Sequence, residues 1–312
     1  YTTIDQMRPI VIIKSIHDLT LRARKCQLGL LRSTRRSPRL EGIARVGVTA
    51  DHGGFLTRLD AAAIAKAVTE TEIEVVILVS IGDYVAFGDT IAEIMMARDH
   101  DVSSLASAIG KAIALEEQRD LDADAAFGVE QLVMIGWTSI STAKSNPGPG
   151  LLAIWNLRDL LAHWLQSDPS FGCPEDDAAV PTASVVYVDN LAQQLMRGFE
   201  SFAVVASESM QHQTVAEIYR TFAILFHRLP PPLRRQADDL LLRSLSGLGD
   251  HILTSELESS LIALTVALNL DGRSQCAGAI EAAQHQLELS IGRLNSRSTR
   301  TKARGERSLP SD

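Results

Sequence analysis

The sequence predicts an α+β fold that is mostly α, with a small, turn-rich β barrel or sandwich module followed by an α-helical bundle. Three observations lead there. Short β-branched runs broken by Gly-Asp turns are confined to residues 44–94. From Asp101 onward, apolar residues recur almost throughout at helical spacing. The 312 residues are 46% hydrophobic, with only 20 Gly and 11 Pro, so a substantial core can form and collagen-like, low-complexity and globally disordered chains are excluded.

The elements follow in order. Residues 8–32 place Ile12, Ile16, Leu19, Ala23 and Leu30 on one helical face, and Pro9 suits a first turn. Residues 33–40 read as a polar loop. Arg45–Thr49 and Phe55–Leu59 read as strands around a His52-Gly53-Gly54 turn. Asp60 is placed to cap a short helix through Val68. Glu74–Val79 is a continuous β-branched run, a buried strand, and Gly82-Asp83 and Gly88-Asp89 turn the chain before Thr90–Ile94 closes the module.

Ser103 or Ser104 then opens a helix to Leu115, and Asp124 caps another. Its stretch Phe127–Ile140 is apolar nearly all round, the pattern of a helix central to a bundle. After the Pro- and Gly-rich turn 146–150, Leu151–Leu165 is helical, with Trp155 and Trp164 in its core-facing set. Val185–Val188 reads as a strand. Helices follow from Leu191, from Val215 to the prolines at 230–232, from Leu233 to Leu253, from a Ser255/Glu258 capping box to Leu268, and from Ser274 to Leu294. The domain organisation is therefore 1–42, a basic helix and linker; 43–100, the β module; 101–295, the helical domain; and 296–312, a disordered basic tail.

The net charge of -8 is unevenly distributed. Residues 1–50 carry ten Lys/Arg against three Asp/Glu, the body from 51 to 290 carries 14 against 33, and residues 291–312 carry six against two. Basic arms suit an anionic partner such as a cytoplasmic lipid surface. The acidic body and the lack of aromatics among the arginines argue against nucleic acid. Arg22, Arg24, Lys25, Arg35 and Arg36 are the candidate membrane-surface residues. No apolar run approaches the roughly 18 residues of a bilayer-spanning helix. Three widely separated cysteines do not make a disulfide scaffold.

The residues name no reaction. Eight histidines are scattered without an HExxH pair or zinc spacing, and no G-x-S-x-G elbow is present. No catalytic set, metal site or cofactor is expected. The Gly-rich turn 146–150 lacks donors at Pro147 and Pro149 and is not followed by Gly-Lys-Ser/Thr, so it reads as a rigid turn. The polar residues bracketing the central helix form one candidate ligand site: Arg119 and Asp124 at its start, Ser141 and Asn146 at its end. Arg119 is also placed to pair with Asp124 and fix the entry of the helix. This set supports an alternative reading as a small-molecule-binding protein or enzyme.

Four stretches in order carry a resemblance: Gly54-Phe-Leu-Thr-Arg-Leu-Asp60; Gly82-Asp-Tyr-Val-Ala-Phe-Gly-Asp89; Arg119 with Asp124-Ala-Ala-Phe-Gly-Val-Glu-Gln-Leu132; and Ser141 with Asn146-Pro147. Over roughly residues 10–270 the chain resembles the uncharacterised family of predicted bacterial membrane proteins called domain of unknown function 2254, with a departure at 141–150. The resemblance implies a block of transmembrane helices preceding a soluble region. This chain, which begins at Tyr1, is expected to be that soluble region. It would lie on the cytoplasmic side of the inner membrane, act in assembly, sensing or gating, and meet the bilayer through a segment absent from this chain. A homo-oligomer is a further expectation. The Gly-Asp repeat also looks like the turn pattern of biotinyl and lipoyl carriers. Such a carrier needs a hairpin lysine, and the nearest, Lys66 and Lys111, are not so placed.

Overall fold

The computed structural model describes residues 9–40, 44–68, 72–97, 101–141, 147–168, 171, 184–249 and 251–289. The expected tail at 296–312 and Asn146 lie outside them. The chain divides into two compact units. One comprises Lys14–Gln131 with His163–Leu195, and the other Tyr1–Ile13, Leu132–Ala162 and Met196–Asp312. Mostly α-helical, with a minority of strands, the protein keeps the α+β class expected of it.

The first unit is mixed. It holds most of α1 (Pro9–Ser33), then β1 (Ala44–Thr49), β2 (Gly54–Leu59), α2 (Ala61–Ala67), β3 (Ile73–Ile77), β4 (Tyr84–Val85), β5 (Thr90–Met96), α3 (Ser103–Ala112) and β6 (Ile113–Glu116). It also takes the start of α4 (Ala125–Ser141), the end of α5 (Gly148–Ser167) and β7 (Val185–Tyr187). Among the described residues the strands form two sheets of order β1-β5-β3-β7 and β4-β2-β6, and a barrel, one expected form, is not shown.

Two strands come from outside residues 43–100. β6 pairs antiparallel with β2, and β7 pairs parallel with β3, with Val75 opposite Val185 and Ile77 opposite Tyr187. The helix expected to reach Leu115 therefore ends at Ala112, because Ile113–Glu116 joins the sheet. The core is apolar side chains of both sheets and helices, including Leu56, Ile64, Val75, Ile94 and Ile109. Asp60 caps α2 as expected, accepting from the Ala63 amide at 2.9 Å. Glu74 is a carboxylate buried in a β-branched strand. It accepts the backbone N–H groups of Arg39 and Leu40 at 2.8 and 3.0 Å and the Arg39 Nε–H at 2.9 Å, which offsets its desolvation.

The second unit is helical. With parts of α1, α4 and α5 it holds most of α6 (Leu191–Glu208), then α7 (His212–Leu225), α8 (Pro231–Leu248), α9 (Ser255–Leu270) and α10 (Ser274–Glu288). Pro231 and Pro232 occupy the first turn of α8, so the proline run starts this helix as well as stopping the one before it. Thr254, one residue earlier than the expected capping box, caps α9 by accepting from the Leu257 amide at 3.3 Å.

Phe199 and Phe222 meet edge to face at 5.5 Å. Arg158 donates to Glu217 at 2.7 Å, tying α5 to α7. The apolar helix α4 is not buried all round. Met134 and Trp137 face the surface, as does Trp155 on α5, with 48% of Trp137 and 41% of Trp155 exposed. Apolarity on every side of a helix does not by itself say which sides find neighbours.

Glycine also sets helix spacing here. A Cβ at Gly136 would lie 2.6 Å from the Phe202 ring and 2.8 Å from Ala153 Cβ, whereas one at Gly278 in α10 would meet nothing within 4 Å. The same substitution should therefore act in opposite directions. Gly278→Ala should stabilise by about 0.5–1 kcal/mol through helix propensity, and Gly136→Ala should destabilise by about 1–3 kcal/mol through overpacking. Urea unfolding midpoints of the two variants check both signs.

Candidate functional site

The three motif stretches that lie between Gly54 and Leu132 meet around one guanidinium. Asp124 immediately precedes α4, and its Oδ1 accepts the Phe127 amide at 2.9 Å, capping a helix whose first amides have no partner within the helix. Its Oδ2 accepts Arg119 Nε–H at 2.7 Å. Arg119 Nη1 donates to Glu130 one turn further on. The guanidinium lies 4.8 Å from the Phe127 ring centre and 6.0 Å from that of Phe55 on β2. Phe55 in turn packs edge to face on Tyr84 at 5.2 Å. The expected pairing of Arg119 with Asp124 thus forms, and both side chains are at least nine-tenths buried.

The Gly-Asp turns complete the arrangement. In residues 80–83 the Asp83 amide donates to the Ser80 carbonyl at 3.0 Å, Gly82 has φ +93°, and the Asp83 Oδ2 accepts the Ser80 amide at 2.8 Å. Residues 86–89 repeat the pattern, with Gly88 at φ +84° and Asp89 accepting the Ala86 amide at 2.8 Å. Positive φ in the third position marks a type II turn, which glycine enters without a Cβ penalty.

The first turn is further held by Asn190, which donates to Asp83 Oδ1 at 2.8 Å, and by the Ile81 amide, which donates to the Tyr187 hydroxyl at 3.2 Å. Burial, with the neighbouring Asp189 charge, pushes the Tyr187 phenol well above its ordinary value, so it remains a neutral hydroxyl. The two turns differ in their surroundings. A Cβ at Gly82 would fall 2.6 Å from both Arg119 Nη2 and Asp124 Oδ2, but one at Gly88 would meet nothing within 4 Å.

Chemically this is a clamp. A guanidinium stays protonated at any physiological pH. Here two carboxylates and two aromatic faces surround it, so it joins the turn at Gly82 to the start of α4. Of the four residues expected to form a ligand site at the ends of α4, Arg119 and Asp124 pair with each other. Asp124 precedes the helix and Ser141 is its last residue, some 25 Å away at about 1.5 Å per residue. The Ser141 hydroxyl is exposed and donates to the Thr138 carbonyl at 3.0 Å, and Asn146 lies outside the described residues. Among the described residues no group of three or more His, Cys, Asp or Glu side chains is placed to hold a metal ion.

The five candidate membrane-surface residues separate. Arg22 and Lys25 are exposed, and Arg35 and Arg36 are half-buried. Arg24 is not at the surface. It is only 3% exposed, donates from Nε to Asp168 at 2.5 Å and pairs through Nη1 with Asp189. Burial works against its charge, yet Asp189 and Asp168 together hold the guanidinium above its ordinary value. Sequence reasoning missed this cluster because its partners lie 144 and 165 residues away along the chain.

A mostly helical α+β protein whose motif residues form a buried clamp fits a class defined by architecture more than by a reaction. The chain belongs to the family of predicted membrane proteins called DUF2254, whose model matches residues 2–216. That span contains the whole Arg119 clamp and the Arg24 cluster. No curated protein and no solved structure matches the chain. No helix among the described residues is long and apolar enough to cross a membrane.

The two Gly-Asp turns provide an internal comparison. Gly82→Ala and Gly88→Ala both incur the left-handed strain of about 1–2 kcal/mol. Only Gly82→Ala also forces Arg119 and Asp124 apart, so it should cost about 1–3 kcal/mol more than Gly88→Ala in denaturant unfolding. Equal losses would show that the clamp carries no packing constraint.

Proposed function

We propose that this chain is the extramembrane region of an integral membrane protein and lies on the cytoplasmic side of the bacterial inner membrane. In this reading it acts in assembly, sensing or gating. The observation that carries the reading is the family membership, a predicted membrane protein family, combined with described helices of which none can span a bilayer. The membrane-crossing part then lies elsewhere in the protein, and α1 leads from it into the mixed unit. Arg22 and Lys25, exposed on α1, supply the positive charge that favours the cytoplasmic leaflet, with Arg35 and Arg36 at the end of the arm adding to it. The motif clamp around Arg119 supports a structural role: both of its carboxylates are paired with the guanidinium, which aligns sheet and helix.

A symmetric homo-oligomer is consistent with this role, since membrane assemblies are commonly cyclic. The exposed Trp137, Trp155 and Met134 give the helical unit an apolar surface of the kind such contacts use.

Sidedness can be read at Cys26, which is exposed on α1. Cys276 does not interfere, because burial, with the nearby Asp238 charge, pushes its thiol up to about 11. In a Cys173→Ser background, the protein expressed from its whole gene should remain in the membrane fraction after alkaline extraction. Cys26 should resist a membrane-impermeant maleimide in intact spheroplasts and react once they are permeabilised. Extraction into the soluble fraction, or labelling of intact spheroplasts, would overturn the reading.

A further inference from the structure

Inside the mixed unit, between α1 and the last turns of α5, lies a half-open cavity of about 270 Å³. Leu21, Leu28 and Trp164 form its apolar walls, and Arg22, Lys25 and His163 form its rim. The α1 contributors at 21, 22, 25 and 28 share one helical face, as do those at 163, 164 and 167 on α5. The floor is the Arg24–Asp168 pair, bonded at 2.5 Å through Nε and 3.2 Å through Nη2.

Two features make this a preformed site. The first is rigidity. Arg24 is also bound by Asp189 and by Gln27, and Trp164 is braced by Phe171 at 5.7 Å, so the spacing of the two helices is set by buried groups. The second is charge. Asp168 and Asp189 are committed to Arg24, while neither Arg22 nor Lys25 is ion-paired among the described residues. The rim is therefore cationic above walls that are apolar.

We propose that this cavity binds a small anionic amphiphile. Its phosphate or carboxylate head would rest against Arg22, Lys25 and His163, and its first methylenes would lie against Leu21, Leu28 and Trp164. A bare cation is disfavoured by the rim, and a bare anion leaves the apolar walls wet. At about 30 Å³ per water the space equals roughly nine waters, enough for a head group and the start of a chain but not for a whole diacyl lipid. The site rests on the cavity and not on membrane attachment, so it can be tested without a bilayer.

The experiment is calorimetric titration of the full chain with n-octyl phosphate below its micellar concentration, beside inorganic phosphate and octyl glucoside. One site for octyl phosphate is expected, at least tenfold tighter than for inorganic phosphate, with no binding of octyl glucoside. The double variant Arg22→Glu/Lys25→Glu should weaken binding at least tenfold with an unchanged melting temperature, since both side chains are exposed. Ser167→Phe, which fills the cavity from its exposed edge, should abolish binding.

Inorganic phosphate binding as tightly as octyl phosphate would overturn the amphiphile. Octyl glucoside binding as tightly would overturn the anionic head. Indifference to both variants would overturn the location. Displacement of octyl phosphate by phosphatidylglycerol vesicles assigns the natural ligand to the bilayer, and lack of displacement assigns it to a soluble amphiphile, with the site sustained in either case.

Discussion

One carboxylate, Asp124, joins helix to sheet in the mixed unit. One of its oxygens caps α4 and the other holds Arg119. That guanidinium is in turn held by Glu130 and by the faces of Phe127 and Phe55, and it lies close against Gly82. The arrangement works because the residue closest to it has no side chain. A buried charge left without its partner costs several kcal/mol, so each member depends on the rest. Three stretches spaced along about 80 residues therefore converge on one side chain.

The same economy recurs at Arg24. A basic residue in a basic arm reads naturally as a surface charge, but two aspartates remote in sequence draw it inside and fix α1 against α5. The consequence is a division of labour along α1. Arg24 faces the interior as structure, and Arg22 and Lys25 remain outward as the cationic rim of a cavity.

Much of this was legible locally. The Asp60 cap, the Gly-Asp turns, the Arg119–Asp124 pair and the helical character of the second half all follow from side chains within a few residues of one another. What was not legible is long-range. Ile113–Glu116 looks like the end of a helix until β2 offers it a partner, and residues 185–187 complete a sheet begun more than a hundred residues earlier. Trp137 and Trp155 are as apolar as their buried neighbours, so no periodicity could place them outside.

The central claim, that Arg119 and Asp124 act as a coupled clamp, is most directly tested by a double-mutant cycle in equilibrium unfolding with Arg119→Met and Asp124→Asn. Asparagine keeps the α4 cap, so the cycle isolates the pairing itself. The account predicts a coupling free energy of about 1–3 kcal/mol; additive losses, with no coupling beyond error, would contradict it.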